Sequence, residues 1–382
     1  MNANILNMKP SGIRRFTALA RATPGCKMLT IGEPDFDTPE PIRAAAARAL
    51  ADGLTHYAPN KGTDSLRKAI ADYETARGME CTPDNILVPV GATGALNTAL
   101  TGLLNPGDEC IIPIPAFPLY ESITVAAGAV PVFLDLKKSN FQIDKAALEA
   151  CITEKTRAIV LNSPNNPTGC VLNWDSLNTV AELAQKHDFY ILCDNVYAAL
   201  SSEPVPDLTL RPELRERVIL CQSFSKPWAM TGWRLGYACG PAPIMREITK
   251  IHQYAIMCAP TVSQYAAIEA LKGCDEAVAA MLEEYDARRK IIVKRFNELG
   301  LECREPKGAF YIFPKISQFG FSGEEFCSEL LKRYHVAIVP GEAFGKSGEG
   351  FARISYAYSV HHITEGLDRM AKFIDDIKNN RI

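Results

Sequence analysis

Three polar residues recur at nearly equal intervals in this 382-residue chain: Asn166 in Asn165-Asn166-Pro167-Thr168-Gly169, Asp194 in Asp194-Asn195-Val196-Tyr197, and Lys226 in Ser223-Phe224-Ser225-Lys226. The intervals are 28 and 32 residues, each close to one strand-helix unit, and Arg234 follows Lys226 by eight. An amine beside a fixed guanidinium suits a phosphorylated carbonyl compound that is held covalently. A carboxylate at Asp194 would keep a pyridine nitrogen protonated and the ring an electron sink, while Asn166 and Tyr197 would bond the ring's phenolic oxygen. Upstream, Val90-Gly91-Ala92-Thr93-Gly94 offers free amides at the start of a helix, where the positive dipole end attracts an anion. With Ser223 and Arg234 this turn could hold the phosphate. Each feature alone has a plain structural alternative: a surface lysine, a helix cap, a tight turn.

The elements that must position these residues are visible between about residues 85 and 240. Short β-branched runs alternate there with Gly, Pro or Asn-rich loops and helical patterns, the mark of a mostly parallel sheet with crossovers. The candidate strands are Asn85 to Val90, Glu109 to Ile114, Val130 to Leu134, Ala158 to Leu161, Phe189 to Cys193, Val218 to Cys221 and Leu235 to Cys239. In such sheets ligands bind at the carboxyl ends of the strands. Beyond about residue 275 a long charged helix (Ala277 to Leu299) and an aromatic strand (Ala309 to Phe313) indicate a change of architecture. The expected fold is α/β: a large domain over residues 46–275 with a mostly parallel seven-stranded sheet between helices, and a smaller α+β domain of residues 276–382 joined by the N-terminal segment, residues 1–45.

Composition narrows the function. Hydrophobic residues at 47% and charged residues at 22% fit a globular protein, and a net charge of -3 argues against a general polyanion or nucleic-acid binder. No run approaches the length of a membrane span. Twelve scattered cysteines without a Cys-x-x-Cys pair, and a start lacking a long apolar stretch, point to reduced thiols in the cytoplasm. Cys193 and Cys221 read as small core residues, and His361-His362 as solvated residues at a helix start rather than metal ligands.

Asn-Pro-Thr-Gly, Asp-x-x-Tyr and Ser-x-Ser-Lys with a later Gly-Trp-Arg, in that order, resemble the class I/II aminotransferases, pyridoxal phosphate enzymes of fold type I in the aspartate aminotransferase superfamily. The resemblance runs from Ile31-Gly32-Glu33-Pro34-Asp35-Phe36 to Arg353-Ile354-Ser355. It implies a transaminase moving an amino group between an amino acid and a 2-oxo acid, with Lys226 as Schiff-base lysine and proton shuttle, Asp194 on the ring nitrogen, and Tyr197 and Asn166 on the ring oxygen. It further implies Phe117 stacked on the ring and Ala92, Thr93, Ser223 and Arg234 around the phosphate. Arg353 and the Gly32 backbone would hold the substrate carboxylate. Tyr57 matches a tyrosine that reaches the neighbouring subunit's phosphate, which implies a homodimer. Asn195 stands where relatives usually carry an acid, a mild departure if its side chain points off the sheet edge. A lysine that some aspartate-preferring relatives place at Thr93-Gly94 is absent, leaving Arg14 or Arg15 as a substitute. The apolar run Ile251 to Pro260, expected near the pocket, hints at neutral or aromatic substrates.

Three rivals remain. A carbon-sulfur β-lyase would use the same cofactor and the same first proton abstraction. A Ser-x-x-Lys hydrolase would use Ser223 and Lys226 with Lys346-Ser347-Gly348, but the required middle motif is missing between them. A ligand sensor of this fold would carry a DNA-binding domain, for which no room is expected before residue 30.

Overall fold

The computed structural model describes residues 3–6, 8 and 10–381. Twelve strands are present among them: β1 (Lys27–Met28), β2 (Ile86–Leu87), β3 (Glu109–Ile114), β4 (Val130–Asp135), β5 (Thr156–Asn162), β6 (Tyr190–Asp194), β7 (Val218–Ser223), β8 (Gly236–Cys239), β9 (Tyr311–Ile312), β10 (Val336–Ala337), β11 (Val339–Pro340) and β12 (Ala352–Ser355). Seven form one sheet in the order β2-β8-β7-β6-β5-β3-β4, parallel from β7 to β4, with β8 antiparallel to both its neighbours. All seven expected strands occur in it. The inner strands β5 and β7 are buried along almost their whole length and apolar from Ala158 to Leu161 and from Val218 to Cys221, as a sheet covered on both faces requires.

Differences from the sequence expectation lie at strand ends and have backbone causes. The run from Asn85 to Val90 shortens to β2 because Pro83–Asn85 is a 3-10 turn and Pro89 has no N–H to donate to a ladder. The aromatic run from Ala309 to Phe313 shortens to β9 because Ala309 turns at φ 57° and Pro314 follows Phe313. The charged helix begins two residues early and covers Asp275–Leu299, closing on Gly300 at φ 71°.

The chain ends meet in two small sheets. β1 runs parallel to β10, and β12 lies between β11 and β9 in an antiparallel sheet. Phe16 and Leu29 join one apolar cluster with Ile354, Leu367 and Phe373. From there residues 30–38 cross toward the large sheet. Ile31 N–H donates to the Tyr358 hydroxyl at 3.2 Å, Asp35 pairs with Arg288 at 2.7 Å, and the Thr38 hydroxyl donates to the Ala229 carbonyl at 2.7 Å. Gly32 is thereby held over the carboxyl ends of the large sheet.

Gly236 opens β8 where no side chain fits: a Cβ would come within 2.6 Å of both the Gln222 carbonyl oxygen and the Gly91 carbonyl carbon. Gly236→Ala is expected to destabilise the fold by about 1 to 3 kcal/mol, as overpacking against backbone does. An unchanged thermal midpoint would contradict this packing.

Candidate active site

The carboxyl ends of three adjacent strands supply three polar residues, two of them in register. Asn162 closes β5, Asp194 closes β6 directly opposite it, and Ser223 closes β7. The Asn162 amide donates to the Asp194 main-chain carbonyl at 2.9 Å and its oxygen accepts from Asn166 N–H at 2.8 Å. The turn carrying Asn166 is therefore fastened to the strand carrying Asp194.

These strand ends floor a cavity of about 230 Å³. Gly32, Ala92, Thr93, Phe117, Asn166, Asp194, Tyr197, Ser223, Lys226, Arg234 and Arg353 all line it. Eleven of the twelve positions singled out in the sequence thus come together. The twelfth, Tyr57, is 83% exposed and does not line the cavity of its own chain.

Asp194 is buried, and its Oδ2 accepts a 2.6 Å hydrogen bond from the Tyr120 hydroxyl while Oδ1 has no partner. Burial pushes its carboxyl up to about 6, an effect reduced by Tyr120, the Val196 amide and the Lys226 ammonium. Lys226 Nζ donates to the Gly32 carbonyl at 2.6 Å. Burial brings its ammonium down to about 8, assisted by Arg234 and Arg353 and opposed by Glu33 and Asp194. Arg234 sits in the left-handed region at φ 53°, with its Nη2 3.0 Å from where a Cβ on Gly91 would be. That glycine lets the guanidinium approach the first turn of the helix Gly91–Leu103. Arg353 donates from Nη1 to Asn166 Oδ1 at 2.9 Å and from Nη2 to the Thr30 carbonyl, leaving its buried Nε unpaired.

Several expectations need correction. Asn195 does not point off the sheet edge. It is buried, and its amide donates to Asp207 at 3.0 Å, so an acid there would set two carboxylates together. The run from Ile251 to Pro260 does not line the cavity: Tyr254 is 86% exposed, because the helix Ala242–Ile256 buries its opposite face through Met245, Ile248 and His252. Arg14 and Arg15 are exposed, with Arg15 paired to Glu324, and the residue of that helix facing the cavity is Ile13. Sequence reasoning passed over Tyr120, Asn162 and Tyr311, all in the cavity wall. Only Tyr120 had a local signal, as a second aromatic three residues after Phe117; it lies in the first turn of the helix Leu119–Ala126, with its ring edge-on to Phe117 at 6.2 Å between centroids.

The comparisons with known proteins agree with this geometry. The family profile described as aminotransferase class I and II matches residues 26–370. The chain belongs to the class I and II aminotransferases. It is 42% identical over 380 residues to an aspartate aminotransferase of Pyrococcus abyssi, covering 97% of each chain. It is 41% identical over 380 residues to aromatic-amino-acid aminotransferase 2 of Thermococcus litoralis, again covering 97% of each. The structure of aspartate aminotransferase from Thermus thermophilus with maleate superposes with a TM-score of 0.93 at 35% identity, covering 97% of this chain and 99% of that one. This aminotransferase is pyridoxal phosphate-dependent and moves an amino group between an amino acid and a 2-oxo acid.

The residues present fit that cofactor. The unpartnered Asp194 Oδ1 is an acceptor awaiting a donor, and the Gly91 turn with Arg234 is a cradle for an anion. In the cofactor-free aminotransferase the Asp194 carboxyl, raised from 3.8 to about 6, contributes stability below pH 4 that is lost as pH rises through 6. The stability of Asp194→Asn relative to the cofactor-free wild type is therefore expected to improve by on the order of 3 kcal/mol between pH 4 and pH 7. Denaturant titrations at the two pH values measure it, and a pH-independent difference would refute the buried carboxylate.

Proposed function

We propose that this aminotransferase works through Lys226 as the proton-moving base, Asp194 as the ring-nitrogen partner, and Arg353 as the clamp on the substrate α-carboxylate. The observation that carries this reading is the orphaned Asp194 Oδ1 in a cavity shared with Lys226 and Arg353. Bound pyridoxal phosphate supplies an aldehyde for the amino group and a protonatable ring that withdraws electrons. Asp194 keeps that ring nitrogen protonated, and Tyr197 and Asn166 direct hydrogen bonds at its phenolic oxygen. The Gly91-to-Thr93 amides, Ser223 and Arg234 bind the phosphate, and Phe117 covers the ring face. Arg353, braced by Asn166 and Thr30, would hold the substrate carboxylate and so orient its Cα–H bond toward Lys226. Lys226 Nζ, once free of its bond to the cofactor, would be the base that takes and gives back that proton. Gly32, whose carbonyl accepts from Nζ, keeps the amine over the site.

The preferred substrates in this reading have neutral or aromatic side chains. The cavity's cations are Lys226, Arg234 and Arg353, each already given a role, and Ile13, Leu119 and Phe117 form apolar wall. Relatives named for aspartate and for aromatic amino acids both exist, so a donor screen with 2-oxoglutarate or pyruvate decides between them. Equal or better turnover of aspartate than of tyrosine or phenylalanine would reject the apolar assignment.

We also propose a homodimer with shared active sites. Tyr57, Tyr254, Ile256 and Met257 are exposed, and the two segments are joined by Asn60 donating to the Met257 carbonyl at 2.8 Å. A contiguous apolar patch of this kind favours association. Residues 1–45 and 276–382 are read as one smaller α+β domain and 46–275 as the larger, with β1–β10 pairing in support. Twelve unpaired cysteines support residence in a reducing cytoplasm, and the activity a role in amino-acid metabolism or biosynthesis.

Lys226→Ala is expected to fold, bind pyridoxal phosphate without the visible band of the wild type, and lose turnover at least 10³-fold. Persistent turnover sinks the assignment, and pyruvate and ammonia released without a 2-oxo acid would indicate a carbon-sulfur lyase. Because the neutral amine is the nucleophile, pyridoxal phosphate uptake by the cofactor-free protein is expected to accelerate with pH through about 8. Stopped-flow absorbance reads this, and a midpoint near 10 would remove the buried-amine argument.

A further inference from the structure

Tyr311 lies on β9, beside the strand that carries Arg353, and was not among the residues expected to work in the cavity. Its ring faces the Arg353 guanidinium, with the central carbon 4.6 Å from the ring centroid. Its hydroxyl reaches the large sheet and lies 2.9 Å from the Tyr197 hydroxyl. Both tyrosines are buried, so each hydroxyl is committed to the partners the protein and its ligand provide. The space for the Tyr311 hydroxyl exists because residue 32 is glycine: a Cβ there would lie 1.7 Å from Tyr311 Oη.

A hydroxyl has one proton to donate. If Tyr197 donates to the phenolic oxygen of the cofactor, it cannot also donate to Tyr311, so Tyr311 must then be the donor in the pair. Donation into the Tyr197 oxygen polarises its O–H and strengthens the onward bond. We propose that Tyr311 is a positioning residue that aims the Tyr197 proton into the cavity and links that aim to the Arg353 carboxylate clamp stacked on its ring. The inference deepens the function proposed above and rests on its placement of Tyr197. The titratable groups facing the pair are Arg353, Asp194 and Tyr120 in the cavity, with Tyr285 and Tyr358 next to Tyr311.

The sign of the effect follows from charge. A weaker donor at the phenolic oxygen leaves more negative charge there, and that charge holds the neighbouring Lys226-nitrogen proton more tightly. The visible band of the loaded protein then titrates at higher pH. The experiment compares holoenzyme of the wild type, Tyr311→Phe, Tyr197→Phe and the double variant by absorbance against pH, with and without maleate as an unreactive carboxylate.

Tyr311→Phe, which keeps the ring under Arg353, is expected to raise the midpoint by part of the Tyr197→Phe shift and to add nothing in the double variant. Its kcat is expected to fall roughly three- to tenfold, the scale of one neutral hydrogen bond, with KM changed less. The shift of the midpoint caused by maleate is expected to shrink in Tyr311→Phe. Gly32→Ala, which displaces the same hydroxyl by crowding, is expected to raise the midpoint in the same direction and covers the case in which Tyr311→Phe does not fold. An unchanged midpoint in a fully loaded Tyr311→Phe, or independent, additive shifts in the double variant, overturns the role of Tyr311 alone. A wild-type midpoint unmoved by Tyr197→Phe overturns the placement of Tyr197 and this inference with it.

Discussion

A carboxylate buried at the end of a parallel strand is the constraint on which the rest of this site depends. Asp194 loses water, and against that loss stand the Tyr120 hydroxyl at Oδ2 and the weaker help of the Val196 amide and the Lys226 ammonium, while Oδ1 keeps an unmet demand for a proton donor. Such a group costs stability until a cationic donor arrives. The arrangement is tolerable because the surrounding core is large, and in the function proposed above the missing donor is the ring nitrogen of the cofactor.

The sheet turns that single constraint into a constellation. Parallel pairing puts Asn162 beside Asp194 and Asp194 beside Cys221, two residues before Ser223, and the loops leaving those ends carry Asn166, Tyr197 and Lys226. Electrostatics couples them across the cavity. The Asp194 carboxylate favours the Lys226 ammonium, while the two arginines oppose it, and burial decides the balance in favour of a more easily neutralised amine. The second structural unit contributes from the opposite side: β12 brings Arg353, β9 brings Tyr311, and residues 30–38 bring Gly32. Hydrogen bonds from Arg353 to Asn166 and between the two tyrosine hydroxyls join the halves through polar contacts.

Much of this was legible in residue order because strands and their loops are local. The seven strands of the large sheet were readable from β-branched runs between turn residues, and their ends marked where to look for Asn166, Asp194 and Lys226. The errors share a cause. Asn195, the Ile251-to-Pro260 run and Arg14 or Arg15 were each assigned a direction, and side-chain direction depends on packing partners distant in sequence. Asn195 turns inward because Asp207 lies there to accept its amide, and Tyr254 turns outward because the other face of its helix is the apolar one. Tyr311 had no signal at all, since its meeting with Tyr197 spans 114 residues.

By itself the sequence pointed to the cofactor chemistry, since an amine, a carboxylate and an amide spaced one strand-helix unit apart can converge at one sheet edge and together match the motifs of a known family. It also determined the order of the elements, because hydrophobic period and turn residues are set within a few positions. Only the tertiary structure decided which side chains face the cavity, which carboxylate oxygen is left unpaired, and that Tyr311 closes the site beside Gly32. Those outcomes come from contacts between distant segments, where burial and register choose among directions that local sequence leaves equivalent.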